Sequence, residues 1–575
     1  MSNIYDKSSL VLIPSGTKTG KVFSQKPVSG DGDFTFTRSS AATRVNADGN
    51  IEKETGNLLL QSNQFDTTWI NVGSTLTSGQ SGYNGNNAWK VEASSGVQRI
   101  EQTLSSQGVA TYSMYAKAGN VSLLRVQTQT AGTDVFFDLS NGTITIQEAA
   151  AFDATITDAG NGWYRCTMSV NETISNLRFL VQRSAFSVTI GDFLYVQDAQ
   201  LEQSLVARDY QETTTAAVYG GITDNVPRLD YTDSSCPALL LEPLRTNRFA
   251  HSEYSGGFNS GPAVNVTNNQ AISPEGLQNA FKIEKTSNNY AYLRTGLAAT
   301  TGCLSVFAKK GNYRYIGLRN NQINGTHSTF DFDTETFVVV ASGQTCTFED
   351  YGNGWYRLTA YQPNNEGSIY QGIAIVTEDG AELLNSSIPN GSHFFVYGLQ
   401  NEAGSYATSY IPTYGSSVSR VAETNSVTGI SDLIGQSEGV IYWEGSVPTA
   451  DQNANLCQFN NDTNSSIVLE KRSNGKIRAR IWNSGSAIVN IESSSYGDEN
   501  LKIAFAYASG DIVLYINGTQ IATNSTTFTF AQSLSEFQLG VGVLFFAYPR
   551  TSKAKQSLLF KTRLTNAELA ALTTI

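Results

Sequence analysis

Long apolar runs are absent from this sequence. No stretch approaches the roughly 18 consecutive apolar residues that a membrane-spanning helix needs. Residues 1–7 also lack the apolar run of a signal peptide. We therefore expect a chain that is made in a cytoplasm, is not exported by the usual route and does not insert into a membrane.

Positive charge is also in short supply. Lys and Arg together number 38, against 50 Asp and Glu, which gives a net charge of −12. Nucleic-acid binding needs a basic footprint, so we expect no nucleic-acid partner. The acidic excess mainly favours solubility.

Metal-binding and thiol residues are few and scattered. Three histidines and five cysteines form no Cys-x-x-Cys or His-x-x-x-His spacing, so we expect no transition-metal site. No cysteine recurs at equivalent positions of the two repeats described below, which excludes a disulfide shared by both and favours buried free thiols. These residues are His251, His327, His393, Cys166, Cys236, Cys303, Cys346 and Cys457.

Catalytic motifs are missing as well. Neither a Gly-x-Ser-x-Gly elbow nor a phosphate-binding Gly-rich loop occurs. Among 50 acidic residues, the sequence cannot single out a glycosidase pair. We predict no catalytic residue and no cofactor, with calcium as the one option, because β-sandwiches bind it through loop carboxylates and carbonyls. The calcium candidates are Asp31-Gly32-Asp33 and Asp48-Gly49-Asn50, with plain turns as the alternative.

What the sequence does contain is an internal repeat. Gly-Asn-Gly-Trp-Tyr-Arg stands at residues 160–165 and again at 352–357, an offset of 192. Fixed self-similarity over so long a period indicates two homologous domains. Two further segments return at the same offset: 113–120 as 305–312, and 87–92 as 279–284.

The offset grows toward the end of the repeats. Residues 200–202 return as 400–402 and 207–210 as 407–410, an offset of 200. The second copy therefore carries about eight extra residues. We place them in the turn-rich stretch 378–391, because surface loops tolerate insertions.

Composition and spacing predict an all-β protein. Abundant Gly (50), Tyr (27) and Phe (28) indicate short strands and tight turns. Regular strands bounded by Gly, Asn or Ser indicate antiparallel sandwiches of the jelly-roll type. In the first repeat we predict strands over 88–93, 110–117, 123–130, 163–171, 176–182 and 193–202.

The last part of the chain matches neither repeat. Predicted strands over 502–507 and 512–516 lead into an Asn517-Gly518 turn. Residues 564–572 read as a helix with Thr565 as N-cap and Glu568 in a capping box. These features resemble the concanavalin A-like (laminin-G-like) sandwich. The predicted domains are a segment over 1–56, a jelly roll over 57–213, a linker over 214–243, a second jelly roll over 244–413 and the concanavalin A-like domain over 414–575.

A wider resemblance covers most of the chain. Residues 34–52, 226–231 and 239–247, together with the repeated Ala-Lys-x-Gly-Asn and Gly-Asn-Gly-Trp-Tyr-Arg motifs, resemble tail- and head-fibre-type structural proteins of tailed bacteriophages. In that family such repeats look like carbohydrate-binding-module jelly rolls. The resemblance implies a virion surface protein, a homo-oligomeric fibre or spike (a trimer by analogy) that attaches to other virion proteins through residues 1–56.

The repeated motif supplies the candidate binding residues. Aromatic rings suit the apolar faces of sugars, and arginine suits acidic sugars. The alternative is core packing, because adjacent strand residues face opposite sides and one of each pair should be buried. The candidates are Trp163, Tyr164, Arg165, Trp355, Tyr356 and Arg357, with the loop residues Tyr83, Tyr254 and Tyr290 as further candidates.

The sequence thus favours a non-enzymatic virion appendage that binds host-surface glycans through many weak contacts. A purely architectural head or tail decoration protein without a ligand is the closest alternative, and an envelope glycanase is the third.

Overall fold

The computed structural model describes residues 2–297, 302–320, 327–363, 370–381, 387–448, 452–460, 462–540 and 550–574. Strands account for 53% of the chain and helices for 3%, and all sheet pairings are antiparallel among the described residues. The predicted all-β sandwich class is confirmed.

The elements follow one another along the chain as listed here. The N-terminal segment holds helix α1 (Ser2–Lys7), β1 (Leu10–Leu12), β2 (Thr17–Lys18), β3 (Lys21–Val22), β4 (Phe34–Thr37), β5 (Arg44–Val45) and β6 (Ile51–Glu52). The first repeat holds β7 (Thr55–Asn57), β8 (Ile70–Val72), β9 (Ser74–Ser81), β10 (Asn87–Ala93), β11 (Arg99–Ala118), β12 (Leu123–Thr128), β13 (Val135–Asp138), β14 (Thr143–Gln147), β15 (Ala151–Gly160), β16 (Trp163–Gln182), β17 (Phe193–Glu202) and β18 (Val218–Gly220). Between the repeats lie β19 (Arg228–Asp230) and β20 (Ala238–Leu241).

The second half of the chain continues the series. The second repeat holds β21 (Arg245–Asn247), a 3₁₀ helix (Ser255–Gly257), β22 (Asn259–Ser260), β23 (Val264–Ala271), β24 (Ala280–Lys285), β25 (Tyr292–Gly296), β26 (Gly302–Lys310), β27 (Tyr315–Asn320), β28 (Ser328–Asp331), β29 (Thr336–Val339), β30 (Thr345–Asp350), β31 (Trp355–Gln362), β32 (Tyr370–Ile375), β33 (His393–Glu402) and β34 (Val418–Arg420). The last part holds β35 (Thr424–Thr428), a 3₁₀ helix (Ser431–Leu433), β36 (Glu438–Ser446), β37 (Ala454–Phe459), β38 (Ser465–Lys471), β39 (Lys476–Asn483), β40 (Ser486–Ser495), β41 (Leu501–Ala508), β42 (Ile512–Ile516), β43 (Thr519–Asn524), β44 (Glu536–Leu539), β45 (Ser552–Phe560) and helix α2 (Asn566–Thr573).

The first repeat has two layers joined by its longest strands. β11 and β16 pair along 20 residues each, with a bulge between Thr103 and Ser106. On one side of the bulge this pair is flanked by β15 and β17, and on the other by β8 and β12. The two layers enclose one apolar core, as a jelly roll does.

The second repeat has the same strand order in two separate sheets. These run β23-β24-β33-β26-β31-β30 and β22-β25-β32-β27-β28-β29. The register also repeats, since Lys117 lies opposite Trp163 and Lys309 opposite Trp355. The predicted homology is therefore confirmed at the level of strand pairing. Part of the predicted insertion, residues 382–386, lies outside the described residues.

A repeated asparagine closes each jelly roll. Asn57 donates to the carbonyls of Ala199 and Gln211 at 3.0 and 2.9 Å. Asn247 donates to those of Leu399 and Ile411 at 3.2 and 2.9 Å. Both side chains are fully buried, so each makes a polar clamp between the entry and exit of its repeat.

The C-terminal sandwich contains strands from three distant parts of the chain. One sheet runs β19-β20-β45-β36-β41-β42-β43, with β1 also on β45, and the other runs β2-β3-β4-β35-β44-β37-β38-β39-β40. Their shared core includes Leu10, Phe34, Leu239, Trp443 and Phe537. The sandwich is therefore discontinuous in sequence.

The structure differs here from the predicted domain boundaries. Residues 1–56 and 214–243 read as an attachment segment and a linker, yet β1 to β4 and β19 to β20 are strands of the sandwich that was placed at 414–575. The physical reason is that short apolar runs such as Leu10–Leu12 cannot form a core alone and gain burial by pairing with β45. An attachment role for residues 1–56 stays a prediction.

Local predictions in the last domain are confirmed. Asn517 and Gly518 both have positive φ, 49° and 77°, as the two-residue turn between β42 and β43 requires. Thr565 caps α2, and Glu568 completes the capping box. Within the described residues, no helix has the length and apolar character to cross a membrane.

All five cysteines are free, and the prediction that they are buried holds for three of them and is wrong for Cys236, which is exposed. Cys166, Cys303 and Cys457 are buried, whereas Cys346 is half-buried and Cys236 is exposed. Burial raises the pKa of the three buried thiols, so they act as small apolar side chains.

Two buried ion clusters join the domains. The first, the arginine cluster, consists of Arg38, Arg228, Arg420, Glu242 and Glu423. Glu423 accepts from Arg38 at 2.8 Å and from Arg228 at 2.5 Å, and Glu242 accepts from Arg228 and Arg420 at 2.8 Å each. Its members lie where the strands β4, β19, β20, β34 and β35 begin or end, so it holds the sandwich to the second repeat.

The second, the lysine cluster, consists of Lys53, Arg208, Glu202, Glu253 and Glu275. Lys53 contacts Glu253 at 2.7 Å and Glu275 at 3.0 Å, and Arg208 contacts Glu202 at 3.0 Å and Glu275 at 3.1 Å. Burial alone would raise the pKa of Glu275, but the charges of Lys53 and Arg208 outweigh it and lower the pKa to about 2. The cluster thus joins the N-terminal segment to both repeats.

Acid should weaken the lysine cluster. Because the folded-state pKa of Glu275 is about 2 and the usual value is 4.5, its contribution to stability is complete above pH 4.5 and is lost as the pH falls toward 2. We expect Glu275→Gln to reduce the free energy of unfolding by about 3 kcal/mol at pH 6, and the difference from the unmutated protein to shrink by pH 3. Urea unfolding at several pH values measures this. The exposed Asp66→Asn is the control, and a difference that stays constant with pH would contradict the assignment.

Candidate functional site

The two tryptophans of the repeated motif are buried. Trp163 and Trp355 keep 1% and 2% of their surface exposed. Trp355 packs with Ile51, Phe307 and Tyr397, and its Nε1 donates to the carbonyl of Ile272 at 3.0 Å. Neither ring can stack on an external sugar, because other parts of the chain already cover it.

The neighbouring tyrosines face the jelly-roll cores. Tyr356 is buried in the second core, and its hydroxyl donates to Glu335 at 2.8 Å. Tyr164 is half-buried against the first core. We expected one residue of each Trp-Tyr pair to be buried, but in the second repeat both are. Tyr356 faces the core, and Ile51 of the N-terminal segment covers the outward-facing Trp355.

The two arginines of the motif make matching contacts inside their own domains. Arg165 donates to Ser113 Oγ at 3.3 Å and to the carbonyl of Arg208. Arg357 donates to Ser305 Oγ at 3.3 Å and to the carbonyl of Thr408 at 2.5 Å. Both arginines thus donate to groups of their own domain rather than facing a ligand.

The three loop tyrosines have different surroundings. Tyr83 stacks on Tyr115 at 3.7 Å, and Tyr254 packs on Phe152 of the first repeat at 4.6 Å, so both have partners within the protein. Tyr290 is 40% exposed. Of the sequence candidates, Tyr290 is the one with a ring open to a ligand.

Tyr290 belongs to a row of aromatic residues on the second repeat. Ala291 and Leu293 belong to the core, so Tyr292 and Arg294 of β25 lie on the outer face of the sheet, and Tyr290 lies just before the strand. Tyr370 on β32 lies opposite Gly296 and is 41% exposed. We call Tyr290, Tyr292, Arg294 and Tyr370 the tyrosine face.

Arg294 lies between two of these rings. Its guanidinium carbon is 3.6 Å from the centroid of Tyr292 and 4.7 Å from that of Tyr370. Cation–π contacts at these distances hold the three side chains in one arrangement. The floor of the face is small and closely packed, since Gly372 and Ala374 lie beneath the side chains on β32.

The tyrosine face has the length of an extended ligand. From residue 292 to residue 296 strand β25 covers about 13 Å at 3.3 Å per residue, and Tyr290 lies two residues before it. Aromatic rings at both ends and a guanidinium between them provide stacking surfaces and hydrogen-bond donors. This combination suits a chain of sugar rings, whose ring faces are apolar and whose edges carry hydroxyls.

A cleft of about 160 Å³ lies between the two repeats. Lys53, Arg208, Tyr219 and Tyr414 are among its lining residues. Lys53 and Arg208 are members of the lysine cluster, and the Tyr414 hydroxyl accepts from Lys53 at 2.7 Å. Because its polar groups are already paired with one another, we interpret the cleft as a domain junction.

The calcium candidates form ordinary turns. Asp33 accepts from the backbone N–H of Ser24 at 3.0 Å and from Lys21 at 3.3 Å, and Asp31 accepts from Ser29 Oγ at 2.7 Å. In the turn at 48–50, the side chain of Asn46 accepts from two backbone N–H groups. Across the described ranges, no group of three or more His, Cys, Asp or Glu is placed to hold a metal ion.

Sequence reasoning missed most of the tyrosine face. The alternation Tyr-Ala-Tyr-Leu-Arg over 290–294 is a readable signal, because it puts two tyrosines and one arginine on one side of a strand. Tyr370 has no such signal. Only the pairing of β25 with β32 brings it to Arg294.

Comparison with known proteins yields low similarity. No protein-family description matches the chain, and no curated protein does. Among solved structures, the CBM40 module of a Ruminococcus gnavus IT-sialidase bound to α2,3-sialyllactose matches with a TM-score of 0.22 and 16% identity, covering 24% of this chain and 84% of that one. Domain 4 of AbnA, a GH43 extracellular arabinanase from Geobacillus stearothermophilus, in complex with arabinotriose, matches with a TM-score of 0.22 and 15% identity, covering 27% and 73%. The receptor-binding domain of botulinum neurotoxin mosaic serotype C/D matches with a TM-score of 0.22 and 11% identity, covering 26% and 39%. Similarities this low carry no argument about the ligand of this chain.

Proposed function

We propose that this protein is a non-enzymatic glycan-binding subunit of a phage virion surface, a fibre or spike, and that the tyrosine face holds the glycan. The observation that carries the glycan part is the tyrosine face, in which Arg294 holds the rings of Tyr292 and Tyr370 in one arrangement. The rings of Tyr290 and Tyr370 are each about 40% exposed. Preordered aromatic side chains lose little conformational entropy on binding. The virion part is supported by the resemblance of the sequence to phage fibre proteins.

Multivalent attachment would make weak contacts sufficient. A single aromatic face binds weakly, whereas several copies on one oligomer raise the effective concentration of each. The proposed partners are therefore other copies of this chain, further virion proteins and glycans of the host surface. The protein would be made in the host cytoplasm and act on the assembled particle.

We expect Tyr290→Ala with Tyr370→Ala to weaken glycan binding about tenfold or more. The reason is that both stacking surfaces at the ends of the face are removed, and a loss of about 1.4 kcal/mol already corresponds to tenfold. The measurement is binding of the purified full chain to immobilised neutral oligosaccharides and to host surface polysaccharide. Both residues are substantially exposed, so the thermal midpoint should stay nearly unchanged.

Tyr219→Ala is the matched comparison, because Tyr219 is 55% exposed and lines the cleft instead. Loss of binding in this variant, with the double variant unaffected, would reject the tyrosine face as the site. Failure of the unmutated chain to bind any glycan would leave the architectural role. Shortened oligosaccharides after incubation would favour the glycanase alternative.

A further inference from the structure

The corresponding face of the first repeat has a different chemistry. Ile100 and Phe179 pair in the first repeat as Leu293 and Ile373 do in the second, so the two faces can be compared position by position. By this register, Arg99 stands where the second repeat has Tyr292. Likewise, Glu101 occupies the position of Arg294 of the second repeat, and Arg178 occupies the position of Gly372.

Three arginines lie on this face with two acids. Arg99 and Arg178 share the carboxylate of Glu101, at 3.0 and 3.2 Å. Arg125 is paired with Asp134 at 2.7 and 2.8 Å. Glu148 accepts from the backbone N–H of Asp134 at 3.0 Å, so the excess positive charge of this face is confined to Arg99 and Arg178.

An exposed ring stands above Arg125. Phe186 keeps 59% of its surface exposed and contacts Phe136 edge-on, with the ring centroids 5.1 Å apart. The guanidinium carbon of Arg125 lies 4.7 Å from the Phe186 ring. Two protein groups thus hold the ring in place while much of it faces solvent.

The backbone at Phe186 is strained. Its φ is 59°, in the left-handed region that glycine and asparagine adopt readily and a bulky aromatic residue does not. The strained residue lies in a tight turn in which Ser187 N–H donates to the carbonyl of Ser184 at 3.0 Å. An exposed aromatic residue at such a position contributes little to packing, and strain of this kind is concentrated at functional sites.

The ring and the arginines lie on one surface. Leu180 is opposite Arg125 on one side, and Phe136 is opposite Arg125 on the other. Arg178 lies opposite Glu101 in the next row. Two strand spacings separate β11 from β12 across β16, about 10 Å, which one or two sugar rings would span.

We propose that this face is a second glycan-binding site and that it takes a sugar carrying a carboxylate. The sugar ring stacks on Phe186, and the carboxylate meets the positive surface of Arg99 and Arg178, whose one shared acid leaves an excess charge. The proposal rests on the proposed function for the ligand being a glycan. The two repeats would then differ in specificity, with a charged sugar on the first and a neutral one on the second.

The test uses trigalacturonate, a hyaluronan tetrasaccharide and an oligomannuronate, each beside its carboxyl-reduced form. We expect the full chain to bind at least one acidic form about tenfold or more tightly than the reduced form, with weaker binding at high salt. Phe186→Asn and Arg99→Gln should each lower that affinity several-fold. Phe186→Asn should not lower the thermal midpoint, because asparagine tolerates the left-handed backbone.

Three outcomes would overturn the proposal: no binding to any acidic probe, equal binding of acidic and reduced forms, or unchanged binding in Phe186→Asn. The Tyr290→Ala, Tyr370→Ala double variant separates the two sites, because it should lose neutral glycans and keep the acidic probe. If neutral glycans fail to bind while the acidic probe binds and depends on Phe186, the tyrosine face is rejected and the second site stands.

Discussion

Removal of residues 1–37 is expected to unfold the C-terminal sandwich. The deletion takes away β1 from the edge of β45 and β4 from its place beside β35, and with them the core residues Leu10, Phe34 and Phe36. The remaining edges of both sheets would expose unpaired backbone groups and apolar surface. We expect loss of cooperative unfolding for this domain and aggregation on expression, measured by calorimetry and size-exclusion chromatography.

Single substitutions test the contribution of residues 1–37 to the sandwich within the full-length chain. Phe34 is fully buried and contacts Phe537 with ring centroids 5.8 Å apart, so Phe34→Ala should cost about 3–5 kcal/mol in the free energy of unfolding. Val28 in the same segment is 97% exposed, and Val28→Ala should change it by less than about 0.5 kcal/mol. A folded, fully stable truncated protein would show that the C-terminal sandwich does not need residues 1–37.

Glu423→Gln is expected to destabilise the protein by about 3–5 kcal/mol, as does removal of one partner from other buried ion pairs. Glu423 has no exposed side-chain surface and accepts from Arg38, Arg228 and the backbone N–H of Glu242. Without its charge, Arg38 would lose the carboxylate that it pairs with, and Arg228 and Arg420 would share Glu242. Burial by itself would raise the pKa of Glu242, but the charges of Arg420 and Arg228 outweigh burial and lower the pKa well below its usual value. Glu242 is therefore already ionised and cannot replace the lost charge of Glu423.

The control is an ion pair at the surface. Lys310 and Asp333 pair with 41% and 42% of their side chains exposed, and Asp333→Asn should cost less than about 1 kcal/mol. Urea unfolding gives both free energies, and limited proteolysis reports whether the sandwich separates from the second repeat. Equal, small effects of the two substitutions would show that the arginine cluster does not hold these domains together.

Much of the local structure could be predicted from the sequence. The predicted strands over 88–93, 123–130 and 193–202, the turn at Asn517 and Gly518, and the cap at Thr565 depend on neighbouring residues and are confirmed. The predicted strands over 163–171 and 176–182 are instead one strand, Trp163–Gln182, and the strand predicted over 110–117 is part of the longer Arg99–Ala118. The homology of the two repeats could also be predicted, because three of their shared segments recur at a constant offset of 192 residues along the chain. The binding residues could not be predicted in this way. A Trp-Tyr-Arg motif on a strand shows which side chains lie on the same face, but it does not show which other parts of the chain cover them.

By itself, the sequence determined the all-β class, the two homologous jelly rolls, the absence of shared disulfides and the chemistry of individual turns and caps, because these depend on residue type and on spacing along the chain. Tertiary structure alone decided that residues 1–37 and β19 to β20 complete the C-terminal sandwich. It alone buried Trp163 and Trp355, and it alone brought Tyr370 beside Arg294. The physical reason is that burial and the pairing of distant strands depend on which surfaces pack together. That packing results from the sum of many weak contacts between residues far apart in the sequence, and no local pattern predicts it.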